Sequence, residues 1–223
     1  MSHKSAIRAA LLAVLAGAQT GAFAADDTWL VRVRGIAVAP NDDSSLVSVN
    51  GASVAGSGVG VDTAFVPELD ITYKITPHIG AELILATSQH NVTAEGATEP
   101  LGEVIDTWVL PPTLTLQYHF NPEGQFRPYV GAGVNYTVFY SEEVNGGLDA
   151  PGASVDIDPS WGYALQVGAD FEVSDRWFLN LDLKYIDIGT DADFRNAAGG
   201  VDRASVDVDI DPFVVGFGVG YRF

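Results

Sequence analysis

The sequence predicts an all-β chain, an eight-stranded antiparallel transmembrane β-barrel with short periplasmic turns and longer extracellular loops. Three observations carry that prediction. Apolar and polar residues alternate with period two in segment after segment beyond residue 25; the connections between segments are short and long by turns; and the chain ends on an alternating apolar series closed by Phe223. A secreted soluble sandwich also alternates, but it needs neither aromatic strand ends nor a terminal Phe. Composition narrows the function classes. With no cysteine, disulfide frameworks, zinc ribbons, iron–sulfur centres and thiol nucleophiles are excluded, and a formal charge of −18, from 11 basic and 29 acidic residues, argues against nucleic acid as a partner.

Residues 1–24 read as a cleaved signal peptide: His3, Lys4 and Arg8 precede an apolar run, and Ala22-Phe23-Ala24 forms a small-residue cleavage pattern. The apolar run is about half of the ~20 residues a spanning helix needs. The barrel then occupies 25–223, and losing Lys4 and Arg8 makes it more acidic still.

The first strand carries Trp29, Val31 and Val33 on one face against Arg32 and Arg34. The second sets Leu69, Ile71 and Tyr73 against Glu68, Asp70, Thr72 and Lys74, and the third Ile79, Ala81, Leu83 and Leu85 against Glu82. The fourth runs from Trp108 to Phe120 and the fifth through Val130, Ala132, Val134, Tyr136 and Val138. The sixth bears Trp161, Tyr163, Leu165 and Val167, the seventh Trp177, Leu179, Leu181 and Leu183, and the eighth Phe213, Val215, Phe217, Val219, Tyr221 and Phe223. Short turns fall near 75–78, 121–125 and 174–176, and long polar loops near 41–60, 92–103, 141–159 and 191–204, so the two kinds sit at opposite ends.

The inward positions divide into two layers. Near the periplasmic end lie Arg32, Arg34, Lys74, Arg127, Lys184 and Arg222 with Glu68, Asp70, Glu82, Asp170, Glu172 and Asp182, charges that can neutralise one another as a polar plug. Above them lie Ile36, Val38, Ala64, Val66, Ala86, Val109, Phe139, Ile186, Ile188, Ile210 and Val214, a hydrophobic lumen, with Asn135 and Gln166 among them. Eight strands enclose room only for side chains or one small ligand. Pro67 in the second strand and Pro111-Pro112 in the fourth flank the third at similar heights, and each removes a ladder N–H, which predicts a bulge or a lateral gap there.

Catalytic and metal sites are not expected. Beyond the signal, the histidines are His78 in a turn, His90 at the start of a loop and His119 at the periplasmic end, far apart, with Ser88 near His90 only through proximity in one strand. Loop carboxylates such as Asp42, Asp43, Asp156, Asp158, Asp191, Asp193, Asp207 and Asp209 suit hard cations in kind but follow no EF-hand spacing, and read as a solvated acidic rim. No cofactor motif is present.

Several strings resemble the outer membrane protein W (OmpW) family: Leu110-Pro-Pro-Thr-Leu114, Phe126-Arg-Pro-Tyr-Val-Gly-Ala-Gly-Val-Asn-Tyr-Thr137, Asp211-Pro-Phe213 and Gly220-Tyr-Arg-Phe223. The resemblance covers the whole mature chain. It implies a monomeric outer-membrane barrel of Gram-negative type with a hydrophobic channel closed towards the periplasm, associated with uptake of small hydrophobic molecules and related to the alkane-uptake protein AlkL. The terminal Phe223 resembles the signal read by the barrel-assembly machinery. The expected function is passive uptake of small hydrophobic solutes through the upper lumen with lateral exit to the bilayer; the alternative is a structural or receptor barrel with an inert lumen and acidic partner-binding loops. Expected partners are outer-membrane lipid, lipopolysaccharide and the solute.

Overall fold

The computed structural model describes residues 28–223, so the segment read as a signal peptide lies outside the described residues. Eight strands form the barrel: β1 (Trp29–Ala39), β2 (Ala64–Lys74), β3 (Ile79–Ala86), β4 (Thr113–His119), β5 (Phe126–Val144), β6 (Ser160–Glu172), β7 (Trp177–Ile186) and β8 (Phe213–Arg222). Each pairs antiparallel with the next in the chain, and β8 pairs back onto β1 from Arg222↔Leu30 to Phe213↔Ala39. Closure gives each of the eight strands a paired neighbour on both sides.

Period-two alternation sets the two faces. Along β1 the side chains of Leu30, Arg32, Arg34 and Ile36 are buried inside while Val33 is half exposed outside. Leu114, Leu116, Leu181 and Phe217 are likewise outward and exposed, an apolar belt that calls for a hydrocarbon surround rather than water. Aromatic rings border it at both heights. Trp29 meets Tyr73 and Trp177 meets Tyr221 at the short-turn end, and Tyr136 meets Trp161 and Tyr185 meets Phe213 at the other.

The structure corrects the reading of the long connections as polar loops. Ser57–Val61, Ser88–Gly96 and Glu103–Leu110 pair with one another and with the upper half of β5, carrying the wall well above the apolar belt. A second sheet joins Ser154–Ile157, Gly189–Ala197 and Val201–Asp209, with the short segments Asp43–Ser44, Ser48–Val49 and Ala52–Ser53 at its far edge. The reason is visible in the composition of these segments: Val59, Val92, Ala94, Ile105, Ile157, Ala192, Phe194, Val206 and Val208 alternate with polar neighbours and bury inwards, merging with Ile36, Phe139, Ile186 and Val214 into one apolar core. Among the described residues no α-helix occurs; three single 3₁₀ turns cap the loops.

Candidate functional site: an apolar lumen above a charged plug

The lower interior is a continuous polar network. Arg32 grips Asp170 with two nitrogens, at 3.1 and 2.8 Å, and sends a third towards Thr72 at 2.7 Å and Glu82 at 3.1 Å. Arg34 binds Asp70 at 2.7 Å and stands 2.8 Å from Asp182, and Lys184 bridges Glu68 at 2.7 Å and Asp182 at 2.9 Å. All eight of these charged side chains are essentially removed from solvent. Isolated charges in such a place would be prohibitive, so pairing and the surrounding hydrogen bonds are what make the layer possible.

Neutral residues complete the plug. Gln117 and Gln166 both donate to Glu82 Oε2, at 2.7 and 2.9 Å; Tyr129 donates to Asp182 at 2.7 Å and Asn180 to Asp170 at 2.7 Å. Tyr129 and Phe178 also place rings 5.4 and 5.5 Å from the Arg32 guanidinium. Glycines make room for both rings: a Cβ on Gly168 would meet the Tyr129 hydroxyl at 2.4 Å, and one on Gly220 would meet Phe178 at 2.2 Å. Gln166, read from sequence as part of the upper layer, thus belongs to the network below. Of the remaining plug residues, Arg127 and Arg222 pair with Glu172 nearer the periplasmic mouth. Lys74 lines that mouth with His119 and Glu123.

Above the network the lumen turns apolar. A cavity is lined by Ile36, Val38, Val109, Phe139, Ile186, Ile188, Ile210 and Val214, all anticipated from strand parity, and by Val59, Val61, Val92, Ile105, Val206 and Val208 from the extracellular extensions, which were not. Val66, also anticipated, is partly buried against the same core but is not part of the cavity wall. Polar side chains are few. Glu68 forms part of the floor, and Ser88, His90, Thr107 and Thr113 lie on the side formed by β3, β4 and their continuations. His90 is therefore inside the wall at 5% exposure rather than on a surface loop, because Ser88, His90 and Val92 share inward parity.

The wall is discontinuous beside the prolines. The β3–β4 ladder ends at Ile84↔Thr113 and resumes only at Ser88↔Val109, skipping Leu110, Pro111 and Pro112. On the other side, β2 and β3 last pair at Glu68↔Ala86, just below Pro67 in register, and pairing returns at Val61↔Val92. Side chains stitch the break. Thr113 and Asn135 donate to the Pro111 carbonyl at 3.0 and 3.3 Å, and Thr87 donates to the Val109 carbonyl at 3.1 Å, so the 2.7 Å contact between the Thr87 and Tyr140 hydroxyls takes its proton from Tyr140.

Known proteins give the same architecture. The OmpW family model matches residues 26–223. The chain is 38% identical to outer membrane protein W of Vibrio cholerae, over 96% of each chain. The crystal structure of OprG from Pseudomonas aeruginosa superposes with a TM-score of 0.81 at 34% identity, covering 87% of this chain and 95% of that one. A solid-state NMR structure of AlkL in DMPC bilayers superposes with a TM-score of 0.64 at 25% identity, covering 92% and 94%. An exposed apolar belt, a closed meander of eight strands and a match along the whole described chain agree on one conclusion: the protein belongs to the OmpW family of outer-membrane β-barrels.

Proposed function

We propose that the barrel is a passive channel for small hydrophobic solutes, which enter from the extracellular side, occupy the apolar lumen and leave sideways into the bilayer through the interrupted seam. The observation that carries this reading is the segregation of the interior: an aliphatic cavity directly above a layer of paired charges. A filled, inert barrel has no need to sort its side chains by height. Burial of hydrocarbon yields about 0.8 kcal/mol per CH₂, enough to draw a solute out of the polar surface layer, while a wall with few hydrogen-bonding groups holds it weakly enough to release it. The plug closes the straight path, and the break beside Pro111 and Pro112 supplies the alternative.

The reading is non-enzymatic, with no cofactor. It takes lipid and lipopolysaccharide as the barrel's surroundings, the monomer as its working form, and Phe223, whose amide bonds the Trp29 carbonyl at 2.9 Å, as the end recognised during assembly. The test is uptake of a medium-chain hydrocarbon by cells lacking their own relative. Phe139→Asp places a charge in the cavity wall and should reduce the rate to that of empty vector at matched surface level. Equal uptake by variant and parent would overturn the channel and leave the structural or receptor reading.

A further inference from the structure

Three polar side chains interrupt the apolar wall together. Ser88 and His90 lie on one strand at inward positions two apart, and Thr107 lies directly opposite His90 on the neighbouring strand. Each is at most 5% exposed and each lines the cavity. Their hydrogen bonds fix which groups remain available. His90 Nδ1 is 2.9 Å from the Asp62 carbonyl oxygen, which only accepts, so Nδ1 carries the ring hydrogen in the neutral imidazole. Nε2 then accepts from the Ser88 hydroxyl at 2.9 Å. With its proton committed, Ser88 Oγ faces the cavity as an acceptor. The Thr107 hydroxyl has only a long 3.5 Å contact with the Trp108 carbonyl and stays free to donate to a better partner.

An acceptor and a donor at diagonal cross-strand positions match a group that gives one hydrogen bond and takes one, which is an alcohol. A carboxylate fits poorly: Glu68 lies in the cavity floor, and the cations below it, Arg32, Arg34 and Lys184, are already paired with Glu82, Asp170, Asp70, Asp182 and Glu68. A hydrolytic relay also fits poorly, because the Asp62 carboxylate is 3.6 Å from His90, half exposed, and takes the Asn91 amide at 2.8 Å. We propose that Ser88, His90 and Thr107 form a head-group site and that the lumen prefers uncharged amphiphiles with a single hydroxyl on a straight alkyl chain, the medium-chain primary alcohols. The proposal rests on the hydrophobic-channel reading and sharpens its substrate class.

The test uses the full barrel in lipid bilayers with isotope-labelled histidine and isoleucine, titrated with 1-decanol, decane or decanoate and followed by NMR. His78 and His119, at the periplasmic end, serve as internal references. Decanol should move the His90 signals, whereas decane should move only lumen isoleucines such as Ile186 and Ile188, and decanoate should bind most weakly. Ser88→Ala and Thr107→Val should each weaken decanol about fivefold, the worth of one neutral hydrogen bond, and leave decane unchanged, with Ser88→Thr restoring the affinity. If decanol and decane bind alike to the parent and to both variants, the head-group site is overturned while the channel stands. If neither solute moves any lumen signal, the channel reading falls too.

Discussion

Both oxygens of Glu82 are occupied from opposite walls of the barrel: Oε1 by Arg32 and Thr72, Oε2 by Gln117 and Gln166. Its removal leaves Arg32 with Asp170 as its counter-charge but breaks the Arg32–Glu82 pair and strips Thr72, Gln117 and Gln166 of their shared acceptor in a site buried from solvent. Glu82→Ala should therefore cost about 3–5 kcal/mol, measured by urea unfolding in bilayers, and raise small-ion conductance as the plug loosens. Glu82→Gln, which keeps one acceptor, should cost less; a Glu82→Ala barrel as stable as the parent would show that the network is not a closed unit. Sequence parity placed the charged members well, since a charge on the alternate face of a membrane strand has nowhere to go but inwards. It did not separate the neutral ones. Gln166 sits between Glu82 and Asp182 because a strand's tilt, not its parity, decides the height of each inward residue, and Tyr129 escaped notice because an aromatic on the inward face looks like an outward one.

At the scale of elements, a seam made by missing N–H groups has a direct consequence. Pro111 and Pro112 cannot donate, and the carbonyl of Pro111 is served instead by Thr113 and Asn135. Replacing both prolines with alanine returns two donors and allows the β3–β4 ladder to run on towards Ser88↔Val109. The double variant should show slower amide exchange along Ile84–Ser88 and a lower rate of hydrocarbon uptake, with equal binding of solute in the lumen. Faster or unchanged uptake together with tighter exchange would assign the seam to folding rather than to exit. The prolines were legible in the sequence, and so was the interruption they cause. The extracellular strands were not, because Ser57-Gly-Val-Gly-Val61 and Val206-Asp-Val-Asp209 are too short and too rich in Gly and Asp to stand out. Their inward valines acquire a core only when the barrel brings four distant segments together.

Taken as a whole, the molecule is a strongly paired barrel carrying a sheet that repels itself. On the outer face of that sheet Asp156 stands directly opposite Asp193, Asp191 opposite Asp207, and Asp209 opposite Asp43, while Asp158 donates its amide to the Asp191 carbonyl. Like charges in direct cross-strand register oppose pairing. The hydrogen bond from Asp191 to Asp207, with Asp158 and Asp193 adding their charges, raises the Asp191 carboxyl above its ordinary 3.8. A carboxyl raised in the folded state binds its proton more tightly than the unfolded chain does. Its contribution is therefore complete below pH 3.8 and lost as the pH climbs through the raised value. The sheet should accordingly tighten in acid while the buried network below does not. Asp191→Asn should slow amide exchange across Gly189–Ala197 and Val201–Asp209 at pH 7 by about twofold to fivefold, the range of an exposed cross-strand pair, and have little effect at pH 3.5. The same substitution should leave exchange in β1 and β8 unchanged at both values, because closure of the barrel depends on ladders that contain no such pair. A uniform response of sheet and barrel would mean that the two unfold as one, and that the acidic sheet is held by the apolar core beneath it strongly enough to override its own repulsion.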